Sequence, residues 1–65
     1  METKLKQILV ERGLKQGFIA EKSGLTPGAF SLIVRGKSLP TLPVAIRIAR
    51  SLNETVESLW GYMVE

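Results

Sequence analysis

The sequence predicts an all-α fold, a compact unit of five short helices. Three observations carry this. Apolar residues recur at helical spacing, as in Leu5, Ile8 and Leu9 or in Val44, Ile48 and Leu52, which is the period of one buried helix face. Gly13, Gly24, Gly36 and Asn53 punctuate these runs where a helix stop needs left-handed backbone. Thr26-Pro27, Thr41 and Thr55 supply helix starts, a hydroxyl able to cap and a proline suited to the first turn. Short connections between five such elements indicate a single all-α domain over 1–65, with 61–65 as a short C-terminal tail.

The first helix is expected over Thr3 to Arg12, closed by Gly13, with Arg12 set against the helix dipole. The second runs from Lys15 or Gln16 to Ser23, with Ile19, Ala20 and Ser23 inward and the large Phe18 on the outer side. Gly24-Leu25-Thr26 forms a turn. The third helix spans Pro27 to Arg35, with Ala29, Phe30 and Ile33 as its inward stripe and Gly36 as its stop. Lys37 to Pro40 is extended, because the residue before a proline avoids helix. The fourth helix covers Thr41 to Leu52, capped by Thr41, with Ala45 and Ala49 filling the face of Val44 and Ile48. Thr55 caps a short fifth helix, Val56 to Trp60, and Gly61 breaks it, leaving the β-prone Tyr62-Met63-Val64-Glu65.

Composition narrows the chemistry. A chain of 65 residues buries only about 60% of the surface its unfolded form exposes, so it is marginal alone. It has no cysteine, histidine or aspartate. Disulfides, the usual Cys/His metal staple, catalytic triads and thiol nucleophiles are therefore out of reach. The glutamates are scattered without a convergent pair. Neither enzyme activity, a metal, a cofactor nor a small-molecule ligand is expected. No apolar run approaches the roughly 18 residues of a membrane span, and the N-terminus METKLKQ lacks a signal-peptide apolar stretch, so a cytoplasmic protein without membrane association is expected. The net charge of +3 hides an asymmetry: residues 1–50 hold all nine basic residues against three glutamates, and residues 51–65 hold three glutamates and no base. Binding a polyanion and keeping an ordinary solvated surface are equally served by that balance.

The stretch Gln16 to Arg35 is the centre of the sequence. A small residue at Ala20, a glycine four residues on and a Thr-Pro start after a three-residue turn describe two helices crossing closely, a helix-turn-helix unit. In that unit the second helix usually enters the DNA major groove.

The residues Leu14, Gln16, Ala20, Gly24, Leu25, Thr26, Phe30, Ser31, Gly36, Lys37, Pro40, Ala45, Ile48, Ala49 and Leu52, in this order, resemble the pattern of the Cro and phage-repressor type of helix-turn-helix domain, the XRE family. The match covers about residues 5–60 and includes the flanking helices. The resemblance implies a transcriptional regulator that binds double-stranded DNA, most simply a repressor, with helix 3 in the major groove. Position by position, it implies that Gln16 bonds a phosphate, that Thr26 touches phosphate, and that Pro27 and Gly28 occupy base-reading positions with Ser31 and Leu32 one turn on. Arg35 and Lys37 then fall in the loop that grips the backbone, and Lys15 flanks the same face. The chain departs from the family in having Pro27, Gly28 and Leu32 where polar readers are common. Pro27 and Leu32 can meet a thymine methyl, Gly28 lets the helix sit close, and Ser31 alone can hydrogen-bond either way. Most affinity is expected from phosphates and DNA shape.

Such regulators bind paired half-sites and need a two-fold partner. Trp60, Tyr62, Met63 and Val64 are the expected contact of a homodimer; the alternative is that Trp60 simply plugs the base of the core. A second reading of the whole chain is a protein-interaction module of antirepressor or antitoxin type, using Phe18, Leu32, Leu39 and Leu42 as an apolar patch.

Overall fold

In the computed structural model, residues 3–64 are described; Glu65, part of the expected tail, lies outside them. The elements are α1 (Lys4–Arg12), α2 (Gln16–Lys22), α3 (Pro27–Val34), α4 (Leu42–Ser51) and α5 (Val56–Trp60), followed by a 3-10 turn, Gly61–Met63. Five helices with no strand among the described residues make the all-α architecture that helical spacing predicts.

The helix ends follow local backbone chemistry. Gly13, Gly24, Gly36 and Asn53 all take positive φ, and each closes its helix by one backbone scheme. At the end of α2, the Leu25 N–H donates to the Ala20 carbonyl at 2.9 Å and the Gly24 N–H to the Glu21 carbonyl at 3.1 Å. Two carbonyls that the helix leaves open are thereby used. Gly24 is required for this φ of +74; a Cβ there would meet only the Arg47 guanidinium, at 3.9 Å. It therefore serves the turn rather than the closeness of the helix crossing, which belongs to fully buried Ala20.

Three expected details are corrected. Ala29 is exposed, and the inward stripe of α3 is Phe30, Ile33 and Val34; residues at i, i+3 and i+4 share a helix face, and a residue at i−1 does not. Thr41 stands at the start of α4 with extended backbone, but its side chain caps nothing. The α-helix ends at Trp60 as expected, but Tyr62 and Met63, expected as β-prone, form a tight turn with Gly61, which sits at φ −59, ψ −30. A Cβ at Gly61 would fall 2.9 Å from Glu57 Cγ, so glycine there admits a close turn. Among the described residues of the tail, only Val64 is extended.

The core runs through all five helices, from Leu5, Ile8 and Leu9 to Ile19 and Ala20, Phe30 and Val34, Ile48 and Ala49, and Leu59. Ser23 is fully buried and its hydroxyl has no hydrogen-bond partner among the described residues. Polar ties join distant parts of the chain. The Thr3 hydroxyl accepts from the Lys6 N–H at 3.1 Å and donates to the Val34 carbonyl at 2.5 Å, which fixes the start of α1 against the end of α3. The Arg12 guanidinium donates to the Leu52 carbonyl at 2.5 Å and pairs with the Glu54 carboxylate. Glu54 also accepts from the Ser58 hydroxyl at 2.8 Å, within a capping box formed by Thr55 and Ser58 at the start of α5.

The Ser58 hydroxyl, and after it the Arg12 guanidinium, hold the Glu54 carboxyl below its ordinary value of 4.5. A lowered folded-state value means that this contribution to stability is complete above pH 4.5 and is lost as the pH falls through the folded-state value. Glu54→Gln is therefore expected to lower the melting temperature at neutral pH and to differ progressively less from wild type as the pH falls below 4.5. Parallel thermal melts across that range check this; a constant difference would contradict it.

Candidate nucleic-acid interface

The residues expected to meet DNA lie on α2, α3 and the loop that follows. Lys15 precedes α2 with extended backbone, and Gln16 is its first helical residue; both are exposed. Neither side chain is used to cap the helix. Phe18 is 55% exposed, as its outer position implies, and the Lys22 ammonium lies 5.1 Å from the centre of its ring, a cation–π contact one helical turn away.

The start of α3 is built as the Thr-Pro pair predicts. The Thr26 hydroxyl accepts from the Ala29 N–H at 3.2 Å, and Pro27 occupies the first turn, where its missing N–H costs nothing. Thr26, Pro27, Gly28 and Leu32 are exposed and Ser31 is half-buried. At the far end, Arg35 Nε donates to the Ser31 carbonyl at 3.4 Å. The Gly36 and Lys37 N–H groups close the helix onto Ile33 and Leu32, at 3.1 and 2.9 Å. Gly36 lies tightly on the α1 cap, since a Cβ there would stand 3.1 Å from Thr3 Cγ2. The helix bearing Ser31 and Leu32 is thus closed at both ends by its own chain, with a buried stripe on one side and an open stripe on the other.

This arrangement is the one whose family pattern the residues carry, and the sequence model of the helix-turn-helix family matches residues 5–59. The chain belongs to the helix-turn-helix family. Within it, this protein is of the XRE type, a class of DNA-binding transcription regulators. It is also 30% identical over 60 residues to a protein of Archaeoglobus fulgidus named as an uncharacterized HTH-type transcriptional regulator; the match covers 92% of this chain and 86% of that one. Among the described residues, no helix of this helix-turn-helix protein is long and apolar enough to cross a membrane.

The residues expected at a dimer contact are divided by the structure. Trp60, Met63 and Val64 line an apolar groove of about 330 Å³ with Leu39, Pro40, Leu42, Ala45 and Val56. Trp60 also packs on the core, so its two readings are compatible. Tyr62 is not a wall of this groove; its hydroxyl accepts from the Lys4 N–H at 3.4 Å, at the start of α1. Leu39 and Leu42, grouped in the sequence with Phe18 and Leu32, belong here instead, and Phe18 and Leu32 do not line the groove. Sequence spacing does not reveal this, because the groove is formed where the loop before α4 meets the segment after α5. Nor does it reveal that Arg47 lies over the helix-turn-helix turn beside Gly24.

Proposed function

We propose that this protein binds double-stranded DNA as a homodimer and acts as a repressor by occupying a promoter. In this reading α3 lies in the major groove, Lys15, Gln16 and Thr26 meet phosphates on one side, and Arg35 and Lys37 grip the backbone beyond the helix. Pro27, Gly28, Ser31 and Leu32 face the bases. The observation that supports it most is the state of α3 itself: both ends are satisfied internally, and the outward stripe from Thr26 to Lys37 is left exposed in a chain of DNA-binding family. The concentration of basic residues in 1–50 suits the same partner.

The second copy is assigned to the groove around Trp60. Leu39, Leu42, Met63 and Val64 are 69%, 65%, 41% and 77% exposed, an apolar patch of the kind that marks a protein–protein contact. Tyr62 holds α1 within the protomer and is not needed at the contact.

Selection of bound sequences from a random duplex pool, run beside a sizing measurement, tests both parts. A palindrome enriched by a dimer is the expected outcome. Val64→Glu should yield a folded monomer that binds the selected duplex at least tenfold more weakly, since each half-site is then held by one protomer. A wild-type monomer in solution and on DNA would end the dimer reading. A single stoichiometric protein partner that survives high salt, with no binding to duplex DNA, would favour the protein-interaction module instead.

A further inference from the structure

The outward face of α3 is poor in hydrogen-bonding side chains for a surface that meets base edges. Phe30, Ile33 and Val34 define the buried side. At about 100° per residue, Gly28, Leu32 and Arg35 fall opposite them, with Ser31 and Ala29 on the flanks. Arg35 stands at the far end of the helix and is held back along it by its bond to the Ser31 carbonyl, whereas base edges are met by the N-terminal part of a recognition helix. Leu32, 41% exposed, is then the one long side chain at the middle of this face. Residues 27–34 contain no Asn, Gln, Arg, Lys, Asp or Glu, the types that read guanine, adenine or cytosine by hydrogen bonds.

Gly28 has no reason inside the domain. Its φ is not positive, a Cβ there would meet nothing within 4 Å, and glycine is a poorer helix former than alanine. A bare position on an outward face admits close approach of the backbone to something outside the chain.

Resting on the reading of α3 as the major-groove helix, we infer that this protein selects duplex DNA by the 5-methyl groups of thymine, covered by the Leu32 side chain, with Gly28 letting the helix come near enough to reach them. Thymine alone among the four bases presents an apolar group in the major groove. Covering it removes apolar surface from water on both partners and asks for no hydrogen-bonding group that this face lacks.

The test uses the full chain and a duplex selected from a random pool, resynthesised with deoxyuridine in place of one thymidine at a time. Uracil keeps the pairing and the O4 acceptor and loses only the methyl. Binding is expected to weaken about fourfold for each covered methyl removed, with the salt slope unchanged. Leu32→Ala, checked for its helical circular dichroism, should bind more weakly and treat thymine and uracil duplexes alike. Gly28→Ala should melt at a higher temperature than wild type yet bind the thymine duplex less tightly. Equal wild-type binding of thymine and uracil duplexes, with salt-sensitive binding intact, overturns methyl recognition and leaves DNA binding standing. Absence of duplex binding even at low salt overturns both.

Discussion

Phe30→Ala is expected to leave the chain largely unfolded at room temperature. Phe30 is the largest of the fully buried side chains, and it sits on the helix that the proposed function depends on. Truncating a buried phenylalanine to alanine costs about 3–5 kcal/mol, from lost transfer energy and from the cavity left behind. The core of a domain this short rarely supplies more than about 3–5 kcal/mol of net stability, so this one change removes most or all of it. The cavity cannot be filled cheaply, because Phe30 belongs to one buried cluster drawn from all five helices, which are tied further through Thr3 to Val34 and through Arg12 to Glu54. Loss of helical circular dichroism, together with loss of duplex binding, is the predicted result. A variant that keeps a cooperative melt within a few degrees of wild type would show that Phe30 is not the keystone its burial indicates.

Replacing Lys37 by alanine is expected to weaken duplex binding at low salt by about the same factor for every sequence tried. Lys37 is exposed, one residue beyond the Gly36 turn that closes α3, and its backbone N–H is committed to the Leu32 carbonyl. That bond holds the residue's position while the ammonium stays in solvent. A cation so placed contributes through counterion release, which carries no base information. The slope of log affinity against log salt should fall in magnitude by about 0.9, the share of a single neutralised phosphate. Arg35→Ala should behave alike, and the double variant should flatten the slope about twice as much. Titrations at several salt concentrations on the selected duplex and on an unrelated duplex distinguish this from base reading. If Lys37→Ala weakened binding to the selected sequence alone, Lys37 would be a base reader and the division of labour proposed for α3 and its loop would be wrong.

The helix-turn-helix unit is legible in the sequence because its signals are local. A glycine at positive φ, a threonine hydroxyl three residues before an N–H, and a proline in a first turn act within one turn of backbone. Thr26, Gly13, Gly24, Gly36 and Asn53 accordingly stand where their types predict. Thr41 departs from its type, standing at the start of α4 with no side-chain cap bond. Ala29 falls outside the inward stripe and Val34 within it, because at about 100° per residue Phe30, Ile33 and Val34 share one face and Ala29 stands on its flank. The candidate interface inherits this mixture. Its residue types are readable, as is the scarcity of polar readers at Pro27, Gly28 and Leu32. The fixing of Arg35 along the helix, and the open space around Gly28, follow only from the folded arrangement.

Tyr62 marks the other limit. As an apolar-aromatic residue in a short tail it belongs by type with Met63 and Val64, yet its hydroxyl reaches Lys4, 58 positions away in the chain. The same applies to the pairing of Leu39 and Leu42 with Trp60 and Val64 around one groove.

By itself the sequence determined the number of helices, where each begins and ends, and the presence of a close-crossing pair, because these depend on propensities, caps and backbone conformations within about one turn. The tertiary structure decided which stripe of α3 turns outward, which apolar residues share the groove, and how the chain's distant parts are tied together. Those outcomes rest on bonds between residues 31, 42 and 58 positions apart, whose meeting is set by the packing of all five helices into one core and not by neighbours in the chain.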